Sequence, residues 1–373
     1  MNKNKVCVMT SAHYFDDVRV FYKQCRTLAR AGYNVTFVVP HDKDEYVDGI
    51  NIKAIPKPGS RKERFIKTCR QIYKAAIQTN ASVYHFHDPD LLPYAQLLRL
   101  RGKTVIYDMH ENLPKDILTK TWIGARKRKL LSSFIGAMEH IFMSGMYVVF
   151  AETSYKKDYP WIKNYIDVLN MPDLNYLLKL DCSQKQKDFA LGYVGTVGPD
   201  RGIISILNAL AMVQTERSNC SFHCVGPIDE QHNKDLLTNM DKLSLNNVYF
   251  YNYLPPVQAW DIIRTCHIGM AVLKPDPNYF ESYPTKLFEY MSLGIPVITS
   301  DFPLYKKVIE NNDCGICVDS LNTEEIATAV KYIMDNPERA RQMGDNGRRA
   351  VKEHYSWEKE AAKLLGLYKE LSL

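Results

Sequence analysis

The sequence predicts an α/β protein of two domains, each built on a sheet of parallel strands. Short apolar segments alternate with longer segments of helical periodicity in both halves of the chain, an order typical of right-handed β-α-β units. A polar stretch at residues 171–188 interrupts this alternation near the middle. The length of 373 residues also exceeds the usual size of one hydrophobic core and suits two domains.

The first half, residues 1–170, opens the alternation. Strands are predicted at 6–10, 35–39, 83–86 and 105–107, and helices at 20–31, 66–78 and 92–100. Polar clusters follow three of these strands, at 13–19, 87–90 and 108–111. Because ligands of parallel sheets collect at the carboxyl ends of the strands, we expect these clusters to line a binding site.

The second half, residues 189–355, repeats the alternation after the polar linker. Strands are predicted at 221–226, 248–251, 268–273 and 297–300. A glycine-rich turn at 195–202 precedes a helix at 203–215. Such a turn can bind phosphate, but by itself it is a weak signal, since packing and turn glycines give the same pattern. A terminal helix is predicted at residues 356–373.

A helix near residue 285 presents two carboxylates in different ways. Pro284 and Thr285 are typical of a cap and first turn, and Gly294 ends the helix. Glu281 precedes the proline and therefore lies in the entry loop, whereas Glu289 projects from within the helix. An amphipathic helix with solvated glutamates would give the same pattern.

The first turn of this helix is also a candidate anion site. Backbone amides of Thr285, Lys286 and Leu287 fall where helix donors have no intrahelical partner and the dipole is positive. A diphosphate could therefore bind there, with Lys286 adding a full charge.

The whole string, with Glu281 and Glu289 eight residues apart and Gly-x-Pro-Val-Ile behind them, resembles the donor-sugar motif of family 4 retaining glycosyltransferases. The resemblance implies the GT-B architecture, two Rossmann-like domains whose parallel sheets face each other across a cleft. It also implies that Glu281 contacts the donor sugar and that Glu289 binds the ribose hydroxyls. The linker then marks the domain boundary, and the terminal helix crosses back to the first domain.

Further segments resemble the same family. The turn at 195–202 is similar to its phosphate loop, with Arg201 and Gly202 in the matching positions, although Thr196 stands where many members carry another arginine. We expect Lys286 to compensate for that missing charge. Main-chain groups near Leu254 correspond to the site of the nucleotide base.

The three clusters of the first half resemble one bacterial branch of the family. The resemblance implies that His110 faces the donor sugar from the opposite domain, so that His110 and Glu281 are the predicted catalytic residues. Asp17, Arg19 and His87 are assigned to the acceptor region. Two structural alternatives stay open: Arg19 can pair with Asp17 within the loop, and His87 can cap the following helix.

A metal is not expected to take part. Asp88-Pro-Asp90 spells the D-x-D signature of the other large glycosyltransferase fold, but it stands in the wrong half and lacks that context. The resemblance implies a metal-independent enzyme without a cofactor, in which helix amides and basic side chains stabilise the diphosphate.

The formal net charge of +6 is concentrated in basic clusters at 57–74, 99–103 and 126–129. Such clusters are solvated faces or attract anionic surfaces, and no nucleic-acid motif accompanies them. Residues 122–138 form a basic amphipathic stretch that suits either peripheral contact with an anionic membrane or burial of its apolar face in the first domain.

The first residues of the sequence lack the apolar run that a signal peptide has. The nine cysteines are an odd number, which favours reduced thiols over a set of disulfides. We therefore expect a cytoplasmic protein, with the inner face of the cell membrane as its place of attachment if the membrane interpretation holds.

The resemblance implies a retaining hexosyltransferase that moves a sugar from a UDP- or GDP-linked donor to a glycan or lipid-linked acceptor, in bacterial surface polysaccharide synthesis. One alternative is an inactive nucleotide-sugar-binding or membrane-scaffold subunit, although His110, Glu281 and Glu289 are all present. The other is a nicotinamide-dependent oxidoreductase with tandem Rossmann domains, but the turn containing Gly195 and Gly198 lacks the third glycine of that motif.

Overall fold

A computed structural model describes residues 4–120, 122–228 and 230–371. The chain divides into two compact units, each an α/β domain as predicted. The first comprises Met1–Asn170 together with Trp357–Leu373, and the second comprises Met171–Ser356.

The first unit is built on an eight-stranded sheet. Its strands are β1 (Lys5–Met9), β2 (Asn34–Pro40), β3 (Glu45–Val47), β4 (Ile50–Ile55), β5 (Val83–Phe86), β6 (Thr104–Met109), β7 (Tyr147–Phe150) and β8 (Tyr165–Asp167). The order across the sheet is β3-β4-β2-β1-β5-β6-β7-β8, and only the pairing of β3 with β4 is antiparallel among the described strands. The carboxyl ends of β1, β5 and β6 therefore lie side by side.

The β3–β4 hairpin was not predicted from the sequence. Its turn contains Asp48 and Gly49, both with positive φ angles of 53° and 82°. An Asp-Gly pair between apolar, alternating residues is a strong hairpin signal, so the information was present.

Helices cover both faces of this sheet. They are Val18–Cys25 with π-helical geometry, continued by Arg26–Arg30; Arg61–Glu63 and Arg64–Thr68, continued by Cys69–Gln78; Pro89–Leu91, continued by Leu92–Leu100; Leu113–Thr119; Ala125–Phe142; Tyr155–Asp158; and Trp357–Leu371. The last helix packs in the first unit, where the Trp357 indole donates to Thr27 Oγ1 at 3.0 Å and the Tyr368 hydroxyl lies 2.9 Å from His85 Nδ1. Residues of this terminal helix, which are distant in sequence from the first unit's strands, thus complete the hydrophobic core on one face of the sheet.

The second unit holds a six-stranded, all-parallel sheet. Its strands are β9 (Phe189–Val194), β10 (Cys220–Val225), β11 (Val248–Phe250), β12 (Ile268–Ala271), β13 (Val297–Ser300) and β14 (Gly315–Val318), in the order β11-β10-β9-β12-β13-β14. Its helices are Leu174–Leu177, Ile203–Glu216, Glu230–Leu243, Pro256–Ile263, Pro277–Phe280, Thr285–Ser292, Pro303–Asn312, Thr323–Asp335 and Pro337–Glu353.

The predicted linker, 171–188, is held against the second unit. Lys185 Nζ donates to the carbonyls of Arg264 and Cys266 at 3.1 and 2.8 Å, just beyond the end of the Pro256–Ile263 helix. A cation at the carboxyl end of a helix is favourable because the last carbonyls lack intrahelical donors. The polar composition of this segment therefore reflects helix capping as well as solvent exposure.

Candidate active site

The Thr285–Ser292 helix sets the geometry of the two glutamates. Pro284 occupies its N-cap in an extended conformation, and Gly294 follows its end with a φ of 69°. Glu281 consequently lies in the entry loop after the Pro277–Phe280 helix, and the partly buried Glu289 projects from the middle of the helix.

One of the predicted anion-binding amides is already engaged. The Leu287 N–H donates to the Pro284 carbonyl at 3.0 Å, because the first turn is tightened by an i to i+3 hydrogen bond. The assignment of Leu287 to the diphosphate stays a prediction, and the amides of Thr285 and Lys286 are the other first-turn candidates.

Lys286 is buried, with 8% exposure, and reaches back to the end of β9. Its Nζ lies 3.7 Å from the centroid of the Tyr193 ring and would lie 3.2 Å from a Cβ on Gly195, the first glycine of the predicted phosphate loop. Burial, and then the nearby Arg201 cation, lower the pKa of Lys286 to about 7. A diphosphate bound at this loop would stabilise the ammonium form.

Arg201 is held from two sides at the other end of the loop. Its guanidinium carbon lies 5.1 Å from the Tyr279 ring centroid, and its Nε lies 3.6 Å from Asp200 Oδ2. The Tyr279 hydroxyl in turn donates to Asp200. Sequence reasoning missed Tyr193, Asp200 and Tyr279, since nothing in their spacing shows that they contact the two basic residues.

Gly202 has a specific structural requirement. Its φ is 72°, and a Cβ at this position would lie 1.8 Å from the Val272 carbonyl oxygen. The glycine allows the loop to approach the end of β12 closely as the Ile203–Glu216 helix begins.

Leu254 lies in the loop between β11 and the Pro256–Ile263 helix and is partly buried. The Gly226 N–H donates to the Asn252 carbonyl at 2.8 Å, which joins this loop to the end of β10. The predicted base, phosphate and sugar segments thus all follow strands at the carboxyl edge of the second sheet.

In the first unit, the structure brings the three predicted polar clusters together at neighbouring strand ends. His87 Nδ1 lies 3.2 Å from His110 Nε2, and the rings of His13 and His110 have centroids 5.1 Å apart. His110 retains 18% side-chain exposure, whereas the His87 side chain is fully buried. Of the two, His110 is accessible to a substrate.

Asp108 is the buried carboxylate on which this cluster converges. It accepts from Arg19 Nη2 at 2.8 Å and Nε at 3.1 Å, and it lies 3.3 Å from His87 and 3.2 Å from His110. Burial opposes its ionisation, but the Arg19 and His110 charges hold the pKa of Asp108 well below its usual range. Asp108 therefore orients His110 through a charge-assisted contact.

The residues assigned to an acceptor region have different roles in this structure. Arg19 is only 6% exposed, and its guanidinium donates to Asp108 and to the Val168 carbonyl. Its ion-pair partner is therefore Asp108 and not Asp17. Asp17 instead accepts from the Val20 N–H at 2.8 Å and caps the helix that follows. His87 supports His110 and caps no helix with its side chain. Arg19 and His87 thus lie behind the site and support it through Asp108.

Comparison with known proteins covers both units. Residues 18–158 match the family model described as Glycosyltransferase Family 4, and residues 182–350 match the one described as Glycosyl transferases group 1. The chain belongs to the family 4 glycosyltransferases.

Among curated relatives, alpha-D-kanosaminyltransferase of Streptomyces kanamyceticus is 23% identical to this family 4 chain over 185 residues. The match covers 48% of the chain and 45% of that relative, so the chain spans less than half the length of the curated relative it matches. Sequence similarity therefore indicates the family of this chain but does not identify its substrate.

Solved structures share the fold along nearly the whole chain. Sucrose-phosphate synthase from Thermosynechococcus elongatus superposes with a TM-score of 0.75 at 16% identity, covering 99% of both chains. Anabaena Alr3699/HepE in complex with UDP and glucose gives a TM-score of 0.74 at 11% identity, covering 98% of this chain and 99% of that one. The family 4 chain thus has the predicted GT-B fold.

In this family 4 chain, the two carboxylates of the D-x-D sequence form hydrogen bonds and ion pairs with other residues of the first unit. Asp88 accepts from the Thr10 hydroxyl at 2.5 Å and the Ser11 N–H at 2.6 Å, and it lies 3.0 Å from His13 Nδ1. Asp90 pairs with Arg64 at 2.5 Å. Asp88 thus holds the loop that follows β1, and Asp90 holds the Arg64–Thr68 helix.

A different group, His85, His87 and Asp108, offers ligand atoms within 4.8 Å of one another. The Arg19 guanidinium binds the same Asp108 carboxylate, and its charge opposes a metal cation there. The geometry therefore favours a role for Asp108 as the ion-pair partner of Arg19 and the support of His110, rather than as a metal ligand.

Proposed function

We propose that this protein is a retaining glycosyltransferase that transfers a hexose from a nucleotide-diphosphate sugar, UDP- or GDP-linked, to a glycan or lipid-linked acceptor. The observation that carries the proposal is the convergence of Lys286, Gly195 and Arg201 around the predicted phosphate loop of the second unit. Two cations and a helix N-terminus supply the charge that a departing diphosphate requires.

Within this proposal, Arg201, Gly202, Thr285 and Lys286 bind the diphosphate, Glu289 binds the ribose and the main chain near Leu254 binds the base. Glu281 and His110 act on the donor sugar, and Asp108 keeps the His110 imidazole oriented. Transfer with retention then depends on positioning and on stabilisation of an oxocarbenium-like state. The similarity of the opening loop to a bacterial branch supports a role in surface polysaccharide synthesis.

Thermal unfolding with a panel of nucleotides tests the donor site. UDP or GDP should raise the melting temperature because a ligand that binds only the native state stabilises it, whereas NAD should not. A response to NAD alone would favour the oxidoreductase alternative. Nucleotide binding with neither donor hydrolysis nor transfer would favour an inactive subunit.

Metal independence is part of the same proposal and has its own test. Transfer should persist in EDTA, because Lys286, Arg201 and the helix N-terminus take the place of a cation at the diphosphate. Activity that disappears in EDTA and returns with manganese or magnesium would contradict this mechanism.

A further inference from the structure

The Ala125–Phe142 helix of the first unit has one packed face and one exposed face. On the packed face, Glu139 is buried and accepts from the Tyr159 hydroxyl at 2.8 Å, Arg128 donates to the Leu118 carbonyl, and Ser132 donates to the Pro114 carbonyl. These polar contacts fix the helix to its neighbours Leu113–Thr119 and Tyr155–Asp158.

The exposed face carries an apolar stripe. Leu130, Phe134 and Ile141 are 73%, 62% and 59% exposed, and Ala137 lies between them. Positions i, i+4, i+7 and i+11 share one side of a helix, so these four residues form a continuous line opposite Glu139. A helix of a soluble domain usually turns such a line inward, and here it faces outward.

Basic and aromatic side chains flank the amino end of the stripe. Arg126, Lys127 and Lys129 are exposed, and in the described part of the chain no carboxylate forms an ion pair with any of them. Trp122 is 77% exposed just before the helix, with Lys120 Nζ 5.6 Å from its ring centroid. An exposed apolar line bordered by unpaired cations and an indole has the chemistry of a membrane interface.

The occupant of this face is identified by its charge. A helix of a second copy packed in parallel against this face would bring the same cations together, and like charges across an interface are unfavourable. An anionic bilayer surface attracts the cations and accepts the apolar side chains at the same time. No helix in the described ranges is long and apolar enough to cross a membrane, so contact through this helix would lie in the plane of the interface.

We propose that the Ala125–Phe142 helix and Trp122 dock the first unit on an anionic lipid bilayer. The Leu113–Thr119 helix, which packs against it, follows directly from His110. Docking would therefore bring the His110 edge of the sheet toward the lipid surface, where a lipid-linked acceptor presents its headgroup; this last consequence rests on the proposed function.

Sedimentation with phosphatidylcholine vesicles, with and without phosphatidylglycerol, tests the docking face without donor or acceptor. The wild type should bind the anionic vesicles, and added salt should weaken binding because it screens the cations. Replacing Arg126, Lys127 and Lys129 with Gln should lower the affinity by about a hundredfold, at roughly fivefold for each basic residue near the surface. Lys234→Gln, Lys242→Gln and Lys352→Gln, three exposed lysines of the second unit, form the matched control and should bind as the wild type does.

The apolar stripe is tested by replacing Leu130, Phe134 and Ile141 with Ser, or Phe134 alone. These variants should keep the wild-type melting temperature, because the side chains are exposed, and should lose vesicle binding. A matched set at Tyr46, Leu237 and Leu321, which are 69%, 48% and 62% exposed, should bind normally. Trp122 emission should shift to shorter wavelength on binding, and Trp122→Phe should remove that shift.

Failure of the wild type to bind anionic vesicles would overturn the proposal. Equal binding by the stripe variant and its matched control would also overturn it, as would a wild-type dimer that the stripe variant converts to a monomer without any lipid binding. Because vesicle binding requires no transfer, a protein that docks but transfers no sugar would contradict the proposed function and leave the docking face intact.

Discussion

The ammonium nitrogen of Lys286 lies 3.7 Å from the centroid of the Tyr193 ring, in a slot that excludes most solvent. The aromatic face partly compensates the buried cation, but burial and Arg201 still lower the pKa of Lys286 to about 7. The charge state of this lysine therefore changes close to neutral pH.

Donor binding should depend on pH through Lys286. As the pH rises above about 7, the free protein loses the Lys286 proton and must recover it to bind a diphosphate, so affinity for UDP or GDP should fall by up to tenfold per pH unit. Calorimetry in buffers of different ionisation enthalpy should show proton uptake on binding. Lys286→Met should bind weakly below pH 7 and show only the titration of the nucleotide itself; a pH dependence equal to that of the wild type would contradict this role.

The two glutamates should affect different parts of the donor. If Glu289 binds both ribose hydroxyls, Glu289→Ala should weaken binding of bare nucleoside diphosphate by about 1.5 to 3 kcal/mol for each charge-assisted hydrogen bond lost. Glu281→Ala and His110→Ala should bind the bare nucleotide almost normally while turnover falls, because contacts to the sugar strengthen in the transition state.

Calorimetry on these three variants, beside a transfer assay, separates the roles. Equal nucleotide affinity in all of them would remove the assignment of Glu289. Undiminished turnover in Glu281→Ala would remove that of the donor-sugar site.

The Arg19–Asp108 ion pair should be required for the stability of the first unit. Both side chains are at most 6% exposed, so Asp108→Asn leaves a buried guanidinium without its counter-charge and should lower the free energy of unfolding by about 3 to 5 kcal/mol. Urea unfolding measures the loss. The double variant Arg19→Met, Asp108→Asn should recover part of it, and simple additivity of the two single changes would show that the residues are not coupled.

Glu139 should make stability depend on pH. Burial raises its pKa from 4.5 to about 7, despite the hydrogen bond from Tyr159. Between these values the folded protein keeps a proton that the unfolded chain loses, so the free energy of unfolding should fall by about 3 kcal/mol as the pH rises through that window.

Glu139→Gln, a neutral analogue, should remove this pH dependence. Glu370→Gln, an exposed change in the same unit, should retain it. Urea unfolding between pH 4.5 and 7 measures the slope of stability against pH for each variant. An unchanged slope in Glu139→Gln would contradict the assignment of this pH dependence to Glu139.

Much of the fold follows from local patterns. The alternation of strands and helices, the helix bounded by Pro284 and Gly294, and the polar clusters after β1, β5 and β6 were all predicted, because periodicity and turn residues act over a few positions. The Asp48-Gly49 hairpin was equally local and was overlooked.

Residue types at short spacings were enough to predict most of the strands and helices, and the motifs among them carried the resemblance that implied the family, its GT-B fold and the candidate residues. The contacts of each candidate could be read only from the folded structure: Arg19 pairs with Asp108 and not with Asp17, Tyr193 lies under Lys286, and Tyr279 lies beside Arg201. It also decided that Leu130, Phe134 and Ile141 face outward. The reason is physical: pKa shifts, ion pairs and exposure depend on groups that are distant in sequence and meet only when the sheets and helices pack.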